Sequence, residues 1–500
     1  MMKILNAEQT RLADAFTIEN EPIPSIDLME RASNRFVEAF YPNFDPKEKL
    51  GVVCGTGNNG GDGLAVSRIL LSKGYSVQPI VIQPKEGGSK DFQINLLRIS
   101  ELTEVVYIRN EEEIIDFSNF STIIDAIFGS GLARPVTGFY AKVIEAINLS
   151  SAQVVAIDLP SGLFSDLPAP DGAIINADKT ISFQAPKLSF FMPGNYQFVG
   201  DWHVVDIGLD KNYINTLDTK YTYIEEARIK SLLPSRKRFD HKGTFGHGQL
   251  IGGSYGKMGA MELAASAFIR TGAGLLTITV PAIGVNIMQT SVPEAMVLDQ
   301  PGKKFIEDFN VLDKATIVGI GPGLDIKPET VKGLVDFLRK NDKHLVLDAD
   351  ALNILSENHE LLEILPENTI ITPHLKEFDR LAGNSDNQWQ RIDKACELAE
   401  RYNIIIVLKG AFTSIVRPDG TVQFNSTGNP GMATGGSGDV LLGIITALRT
   451  QGLTAEDAAA AGVYIHGMAG DIAAEDKSQT SLIATDIING LSKVFLKFDR

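Results

Sequence analysis

Cysteine is scarce in this sequence: its 500 residues include only Cys54 and Cys396, which lie far apart in the chain. So few thiols exclude a disulfide framework and a metal site built from cysteines. They favour two small, buried, apolar side chains in a reducing compartment. We therefore expect a cytoplasmic protein.

Long apolar runs and an excess of basic residues are also missing. No stretch of about 18 apolar residues occurs, as a membrane-spanning helix would need. The first residues, MMKILNAEQTRLADAF, lack the apolar centre of a signal peptide. The net charge is −16 and the isoelectric point is near 5.0, which disfavours bulk binding to nucleic acid or to an acidic membrane.

Short β-rich runs alternate with helix-length segments in the first part of the chain. Nearly continuous valine and isoleucine runs predict a parallel sheet covered on both faces. Leu64–Leu71 has helical apolar spacing and precedes Lys73-Gly74, a good helix stop. The predicted strands are 50–55, 75–82, 104–108, 121–129, 153–160, 179–183 and 203–209.

A second set of strands begins after the polar segment 210–230, so we expect a domain boundary at about 215–225. SIVRPDGTVQFN (414–425) predicts a hairpin that turns at Asp419-Gly420. No repeat relates the two parts. The sequence thus predicts two α/β domains, over residues 1–218 and 225–500. The further strands are 248–254, 274–280, 315–323, 344–350, 368–374 and 403–410.

The segment CGTGNNGGDG (54–63) contains the G-x-G-x-x-G pattern of dinucleotide-binding loops. That fingerprint also needs an acidic residue about 20 positions later to hold a ribose hydroxyl. Between Gly63 and Lys85 no Asp or Glu occurs, so NAD as a redox cofactor is disfavoured. We expect the glycines and asparagines to approach a ligand, whereas Asp62 either contacts that ligand or caps the following helix.

Two more loops follow predicted strands and begin with aspartates, DAIFGSGLARPVTG (125–138) and DLPSGL (158–163). In open α/β sheets the crevice at the carboxyl ends of the strands binds ligands. Asn59, Asp125, Ser161 and loop carbonyls offer an all-oxygen shell for a hard cation, although either aspartate can instead bond nearby amides.

The strongest single motif is NPGMATGGSGDVLLG (429–443), in which a glycine loop runs directly into a helical pattern. Amides of Gly436, Ser437 and Gly438 at a helix N-terminus favour phosphate. Asp439 follows in the first turn, where an aspartate also favours a helix, but the glycine loop before it favours a catalytic role. It is not a Walker loop, because no Lys-Ser/Thr follows the glycines.

Further polar residues follow strands of the second domain. Glu377 suits a water-mediated Mg²⁺ contact, but a glutamate at the start of a helix is common on surfaces. Lys409 suits a nucleotide phosphate, although a lone lysine is more often solvated. His374 stands between a strand and Glu377, which favours a contact with substrate.

The first-domain motifs GNNGGDG, DAIFGSGLARPVTG and DLPSGL resemble those of the bifunctional NAD(P)H-hydrate repair enzymes, over about residues 1–215. The resemblance implies a Rossmann-like domain that interconverts the R and S hydrates of NADH and NADPH, and a bound K⁺. It implies K⁺ contacts from Asn59, Asp125 and Ser161. We interpret Asp158 as the acid–base group. Hydrate contacts are implied for Asn58, Asn59, Gly60, Gly61, Asp62, Gly129, Ser130, Gly131, Leu132, Ala133, Arg134, Pro135 and Asp158.

The second-domain motifs GIGPGL, LDADALN, TPHLKEF and GNPGMATGGSGDVL resemble the dehydratase half of the same family, over about residues 225–500. This half has a ribokinase-like fold, and the resemblance implies dehydration of the S hydrate at the expense of ADP or ATP. Bacterial-type members favour ADP, so we expect ADP as co-substrate, with Mg²⁺, and release of AMP and phosphate. Hydrate contacts are implied for Ala260, Gly323, His374 and Asp439, and nucleotide contacts for Lys409, Gly410, Ala411, Phe412, Thr413 and Gly438.

Three other functions fit part of the sequence. A small-molecule kinase explains TGGSGD but leaves the first domain without a task. A non-catalytic interaction domain does not need the intact glycine-rich loops, and an NAD-dependent dehydrogenase lacks its ribose carboxylate. We therefore predict a metabolite-repair enzyme that is an isomerase and a lyase, acts on small molecules alone and forms a homo-oligomer.

Overall fold

The computed structural model describes residues 1–40 and 48–499. The chain forms two compact units, Lys3–Thr219 and Lys220–Arg500, and Met1–Met2 groups with the second. Their division lies within residues 215–225, where the polar sequence suggested a boundary. Among the residues that the structure describes, no helix has both the length and the apolar content that a membrane crossing requires.

The first unit is built on a seven-stranded sheet in which every neighbouring pair of strands is parallel. Its strand order is β4-β3-β2-β5-β6-β7-β8, which is the 3-2-1-4-5-6 order of dinucleotide-binding folds plus one strand. The first strand of the chain, β1 (Met2–Lys3), lies in the other sheet. The strands are β2 (Lys49–Cys54), β3 (Ser76–Ile82), β4 (Val106–Ile108), β5 (Thr122–Ala126), β6 (Gln153–Ile157), β7 (Lys179–Phe183) and β8 (Asp201–Val205).

Both faces of this sheet are covered, as the continuous apolar runs predict. Val52 packs into one buried cluster with Phe36 and Leu70, and its neighbour Val53 packs into another cluster with Ile144. Alternate residues of β2 therefore face opposite layers of helices. The helices are α1 (Ala7–Asn20), α2 (Ser25–Phe40), α3 (Asn58–Ser72), α4 (Lys90–Ser100), α5 (Phe139–Asn148), α6 (Tyr196–Val199) and α7 (Lys211–Thr216).

The second unit contains an eleven-stranded sheet of order β1-β9-β18-β17-β16-β15-β14-β13-β10-β11-β12. The pairs from β16 through β12 are parallel, whereas β17 pairs antiparallel with β16 and β18. The strands are β9 (Tyr221–Tyr223), β10 (His247–Ile251), β11 (Leu275–Pro281), β12 (Met296–Gln300), β13 (Ile317–Ile320), β14 (His344–Leu347), β15 (Ile370–Ile371), β16 (Ile405–Leu408), β17 (Ser414–Val416) and β18 (Val422–Phe424).

Helix α15 carries the glycine loop of the second unit and lies in its core. Val440 to Leu448 are buried along its whole length, in one cluster with residues of α9, α16 and α17. This packing fixes the N-terminus of α15 relative to the sheet. The helices are α8 (Glu226–Leu232), α9 (Met258–Arg270), α10 (Val285–Ser291), α11 (Pro328–Leu338), α12 (Asp350–Glu357), α13 (Leu375–Ala382), α14 (Gln388–Tyr402), α15 (Ser437–Thr450), α16 (Ala455–Lys477) and α17 (Ala484–Phe498).

The structure departs from the sequence-based expectations at a few boundaries. The hairpin at Asp419-Gly420 is present, with Gly420 at φ 80°. The strand predicted over 368–374 shrinks to Ile370–Ile371, because the chain turns into α13 just beyond it. The polar segment 210–230, where no element was predicted, contains α7, β9 and most of α8, and β9 pairs with β18.

Candidate active sites

The three predicted ligand loops of the first unit follow adjacent strands. β2 pairs with β5, and β5 pairs with β6, all in parallel. Their carboxyl ends therefore lie side by side, where strand order reverses between β2 and β5. Asp125 lies near the end of β5, and Asp158 immediately follows β6.

Most glycines of CGTGNNGGDG lie close against neighbouring residues. A Cβ at Gly60 would lie 1.8 Å from the Gly55 carbonyl oxygen, and one at Gly55 would lie 2.1 Å from the Ile127 carbonyl oxygen. A Cβ at Gly63 would lie 2.5 Å from the Ala126 Cβ. Of these glycines, Gly57 alone has open space around it in the described structure. The pattern thus brings the start of α3 against the ends of β2 and β5.

The segment from Asn58 onward is helical, and the capping interpretation of Asp62 is wrong. The helix predicted over 64–71 begins at Asn58, with Gly57 as its N-cap. Asp62 therefore lies in the second turn, where a side chain cannot cap the first amides. Burial raises its pKa well above the usual value, and the nearby carboxylates Asp158 and Asp14 raise that pKa further.

The three residues predicted to bind a cation lie together around the backbone of Phe128. The Asn59 side-chain amide donates to the Phe128 carbonyl at 3.0 Å. The Ser161 hydroxyl lies 2.8 Å from the Phe128 amide and 2.6 Å from Asp125 Oδ1. Asp125 is fully buried and also accepts from the Ser161 amide at 2.7 Å. The alternative that this aspartate bonds nearby amides is therefore realised in the structure.

Burial of Asp125 disfavours the ionised form of its carboxyl group. Burial raises the pKa of this carboxyl to about 6, although the hydrogen bonds from Ser161 and Ile127 act in the opposite direction. The cluster thus offers a carboxylate, a hydroxyl, an amide oxygen and a backbone carbonyl within one pocket. These are the oxygen donors that a hard cation takes.

The loop predicted to contact the hydrate begins beside this cluster. A Cβ at Gly129 would lie 3.3 Å from the Asn59 Cβ, so the two predicted contact segments meet there. The loop then becomes largely exposed through Pro135. Asp158 follows β6, which neighbours β5 on the side away from β2. Its backbone is left-handed, with φ 64°.

Sequence reasoning missed two charged residues beside Asp158. Lys187 is 3 % exposed, and its Nζ lies 2.8 Å from Asp158 Oδ1. Asp14 of α1 has its pKa raised to about 6 by burial and by the charge of Asp158. A lysine within the apolar segment 185–192 was the available signal for the first, whereas nothing in the sequence marked Asp14.

In the second unit, TGGSGD has the geometry that the sequence predicts. Gly436 is the N-cap of α15, with φ 90°, and Ser437 begins the helix. Asp439 lies in the first turn. Burial raises its pKa to about 7, the charge of Asp348 raises it further, and Lys409 opposes both effects. A carboxylate with such a pKa is suited to accept a proton near neutral pH.

Lys409 and Gly438 are next to each other, as two predicted nucleotide contacts should be. A Cβ at Gly438 would lie 3.3 Å from Lys409 Nζ and 3.4 Å from Asp348 Oδ2. Lys409 follows β16 and forms a parallel bridge with His374, which follows β15. The turn after it is closed by Thr413, whose hydroxyl lies 3.1 Å from the Gly410 carbonyl oxygen.

His374 and Glu377 form a capping box on α13. His374 Nδ1 accepts from the Glu377 amide at 3.2 Å, and Glu377 Oε2 accepts from the His374 amide at 2.8 Å. The alternative that Glu377 is an ordinary surface glutamate at a helix start is wrong, because this residue is buried. Burial and the charge of Lys409 lower the pKa of His374, so its imidazole is neutral near pH 7.

The two small residues predicted to contact the hydrate also meet. A Cβ at Gly323 would lie 3.4 Å from the Ala260 Cβ and 2.5 Å from the Lys257 carbonyl oxygen. Lys257 pairs with Asp350 at 3.4 Å, and the charge of Asp350 acts on Asp439. The second unit thus gathers its predicted residues around the start of α15.

The sequence predicted no role for two further residues of this site. Asp348, from the motif LDADALN, is buried and accepts from Lys409 at 2.8 Å. His466, from α16, lies 3.3 Å from the Ser437 hydroxyl, and burial lowers its pKa to about 4. Their partners are more than 25 positions away in sequence, which is why spacing did not reveal them.

Comparison with protein families assigns each part of the chain. Residues 25–189 match the family model described as YjeF-related protein N-terminus, and residues 249–493 match the model described as NAD(P)H-hydrate dehydratase. Relatives that each bear the name Bifunctional NAD(P)H-hydrate repair enzyme Nnr align along almost the whole chain. The relative from Thermofilum pendens is 35 % identical and covers 98 % of this chain and 96 % of its own length. The relative from Coxiella burnetii is also 35 % identical and covers 97 % of this chain and 98 % of its own length.

Solved structures resemble one part of the chain. A ribokinase-like superfamily protein from Enterococcus faecalis matches with a TM-score of 0.50 and 27 % identity, over 57 % of this chain and 98 % of its own. The second structure is the ADP/ATP-dependent NAD(P)H-hydrate dehydratase from Bacillus subtilis, co-crystallised with ATP and Mg²⁺. It matches with a TM-score of 0.50 and 30 % identity, over 55 % of this chain and 98 % of its own. These likenesses confirm the predicted ribokinase-like fold.

Proposed function

The chain belongs to the family of bifunctional NAD(P)H-hydrate repair enzymes, and we propose how its two units divide that repair. The enzyme is both an isomerase and a lyase: it epimerises the R and S hydrates of NADH and NADPH and dehydrates the S hydrate. We assign epimerisation to residues 1–218 and dehydration to residues 225–500. The observation that carries the second assignment is Asp439, a carboxyl with a pKa of about 7 at the start of α15.

Asp439 acts as the base of the phosphoryl transfer. It takes the proton of the ring hydroxyl while the hydroxyl oxygen attacks the terminal phosphorus of ADP, so that AMP leaves and the hydrate carries a phosphate ester. The ester then expels phosphate, and the adjacent ring carbon loses a proton, which restores the double bond of NAD(P)H. Because phosphate leaves far more readily than hydroxide, the nucleotide makes the dehydration possible.

The nucleotide lies along Lys409–Thr413 and Gly438 in this proposal. The α15 amides and the Lys409 ammonium stabilise the charge that moves onto the transferred phosphoryl oxygens. Ala260, Gly323 and His374 contact the hydrate. A Cβ at Gly323 would lie 3.4 Å from the Ala260 Cβ, so these two small residues offer a closely fitted wall for the nicotinamide ring. The preference for ADP over ATP stays a prediction from the family resemblance.

Mg²⁺ fits this site through Glu377. Its buried carboxylate lies 3.9 Å from Lys409 Nζ, near the predicted phosphates, and 3.4 Å from the imidazole of His374. When bound with the nucleotide, Mg²⁺ neutralises phosphate charge. Glu377 is placed to hold it through a water molecule, because its Oε2 already caps α13.

In the first unit, we propose that Asp158 exchanges the proton of the hydrate hydroxyl. The hydrate is contacted by Asn58, Asn59, Gly60, Gly61 and Asp62 from the start of α3 and by the loop Gly129–Pro135. K⁺ is held by Asn59, Asp125 and Ser161, whose oxygen donors suit it. When bound, K⁺ balances the charge of the buried Asp125 and orders the loops around Phe128.

One assay tests both assignments. The protein is incubated with the mixed NADH hydrates and ADP, and NADH absorbance is followed. We expect complete recovery of both epimers. An Asp439→Asn variant should recover neither, whereas Asp158→Asn should recover the S epimer at the normal rate and the R epimer at the spontaneous rate. Absence of nucleotide-dependent NADH formation would refute the proposal. A homo-oligomer and a cytoplasmic location stay predictions from the sequence.

A further inference from the structure

Lys187 is a buried cation whose hydrogen-bonding capacity is fully used. Its side chain is 3 % exposed. Nζ lies 2.8 Å from Asp158 Oδ1 and donates to the carbonyl oxygens of Phe183 at 3.2 Å and Ala185 at 3.4 Å. An ammonium group has three N–H donors, and here each has an acceptor. Lys187 is therefore held rigidly and has no donor left for a ligand.

The two oxygens of Asp158 have different surroundings. Oδ1 accepts from Lys187 and from the Phe183 amide at 3.0 Å, and the Ser182 hydroxyl lies 3.2 Å from it. Within the described residues, Oδ2 accepts no hydrogen bond. The carboxylate is anchored through one oxygen, and the other is available for chemistry.

Negative charges surround Asp158 on other sides. Asp14 lies on α1 and Asp62 on α3, and the charge of Asp158 raises the pKa of both carboxyls. Lys187 is the cation that compensates within this cluster: it pairs with Asp158 directly and lowers the pKa of Asp14.

We propose that Lys187 is the positioning residue of the epimerase site, and that Asp158 Oδ2 is the atom that exchanges the proton with the hydrate. This inference rests on the proposed epimerase function. Lys187 does not touch the hydrate. It fixes Oδ1 and supplies the compensating positive charge, so that Oδ2 is the oxygen left to act as the base.

The proton transfer balances without another reactant. Oδ2 takes the proton of the ring hydroxyl. An electron pair of the hydroxyl oxygen then forms a carbonyl, and the ring C–N bond breaks and leaves its electron pair on nitrogen. That charge is delocalised through the conjugated carboxamide. After rotation the nitrogen attacks the opposite face of the carbonyl, and Oδ2 returns the proton to the oxygen, which gives the other epimer.

The test compares Lys187→Met, Lys187→Arg and Ser182→Ala in the full chain. The R hydrate without ADP, with the two hydrates separated by chromatography, reports epimerisation alone, and the S hydrate with ADP reports dehydration alone. For Lys187→Met we expect kcat on the R hydrate to fall about 100-fold or more, with KM changed less than threefold. The acidic limb of its kcat–pH profile should move to higher pH, because the compensating charge is gone.

The other variants separate charge from packing. Lys187→Arg keeps the charge, so its acidic limb should stay at the wild-type pH even though kcat falls. Ser182→Ala removes a neutral donor to the same oxygen, so kcat should fall less than tenfold with the limb unmoved. The S hydrate should react at the wild-type rate in all three variants.

Two results would overturn the inference. One is a Lys187→Met protein with the wild-type kcat and pH profile. The other is a limb that moves in Lys187→Arg, and this second result decides the question if Lys187→Met does not fold. In a Trp389→Phe background, Trp202 fluorescence reports folding of the first unit. Failure of the wild-type chain to convert the R hydrate would instead refute the proposed epimerase function.

Discussion

Lys409 donates to both carboxylate oxygens of Asp348, at 2.8 Å and 3.1 Å, although 61 positions separate them in the chain. Asp348 follows β14 and Lys409 follows β16, so the sheet brings the two strand ends to the same edge. The pair lies beside Gly438 and acts electrostatically on Asp439, in opposite directions. The ion pair thus both anchors a predicted phosphate contact and sets the proton affinity of the predicted base.

Removing the charge of Asp348 should make Asp439 more acidic. In Asp348→Asn, the carboxylate that raises the pKa of Asp439 is lost, while Lys409, which lowers it, remains. We expect the acidic limb of the dehydration profile to move to lower pH. KM for ADP should rise several-fold, because Lys409 loses its anchor. Asp342→Asn, at a carboxylate 88 % exposed, is the matched control. Movement of the acidic limb to higher pH in Asp348→Asn would contradict the predicted effect of Asp348 on Asp439.

Dehydration by the wild-type chain should depend on a single ionisation near neutral pH. The base form of Asp439 is populated above its pKa of about 7, so kcat on the S hydrate should rise tenfold per pH unit below 7 and level off above it. Asp439→Asn should lower kcat by about 10²–10⁴-fold and abolish this limb. Its R-to-S exchange, followed by chromatography of the hydrates, should stay normal. A flat profile from pH 5.5 to about 8.5 would exclude Asp439 as the base.

Two glycines of CGTGNNGGDG should respond differently to alanine. A Cβ at Gly60 would lie 1.8 Å from the Gly55 oxygen, whereas one at Gly57 meets nothing within 4 Å. We expect Gly60→Ala to lower the free energy of unfolding by about 2 kcal/mol or more. Gly57→Ala, at φ −86°, should change it by less than about 1 kcal/mol.

Tryptophan fluorescence measures this difference within one unit. The chain has two tryptophans, Trp202 and Trp389. In a Trp389→Phe background, Trp202 is the sole reporter and packs against Phe190 and Phe191 of the first unit. Equal losses of stability in the two glycine variants would contradict the packing role of Gly60.

K⁺ should stabilise the first unit through Asp125 and Ser161. In the Trp389→Phe background, we expect the unfolding free energy reported by Trp202 to be higher in KCl than in NaCl of equal ionic strength. The gain is about 2.7 kcal/mol when K⁺ is at 100 times its Kd. Ser161→Ala should remove most of this difference. Persistence of the full K⁺ effect in Ser161→Ala would contradict the proposed ligand set.

His466 should make the second unit sensitive to acid. Its pKa falls from 6.5 to about 4 on folding, so the unfolded chain binds the proton first as pH falls. The stabilisation is therefore complete above pH 6.5 and is lost progressively toward pH 4, by at most about 1.4 kcal/mol per pH unit. In a Trp202→Phe background, with Trp389 as reporter, His466→Asn should flatten this dependence. His359→Asn, at an exposed position, should not.

Much of the fold was predictable from the sequence, and so was the proximity of several residues predicted for each site. Apolar runs of valine and isoleucine are local signals, and they located the strands to within a few residues. TGGSGD before a helical pattern is equally local, because a glycine in the left-handed region and a helix N-terminus are set by neighbouring residues. The polar residues predicted for each site follow parallel strands, so they lie at one edge of the sheet.

The tertiary structure alone decided which side chains meet and how strongly they hold protons. Asp62 changed from a possible helix cap to a half-buried carboxyl in the second turn of α3, because the helix begins at Asn58. Lys187 joined Asp158 from 29 positions away, and Asp348 joined Lys409 from 61. Sequence determines such residue types, but pairing and desolvation arise only when distant strands bring them together. Burial then fixes the pKa values on which the chemistry depends.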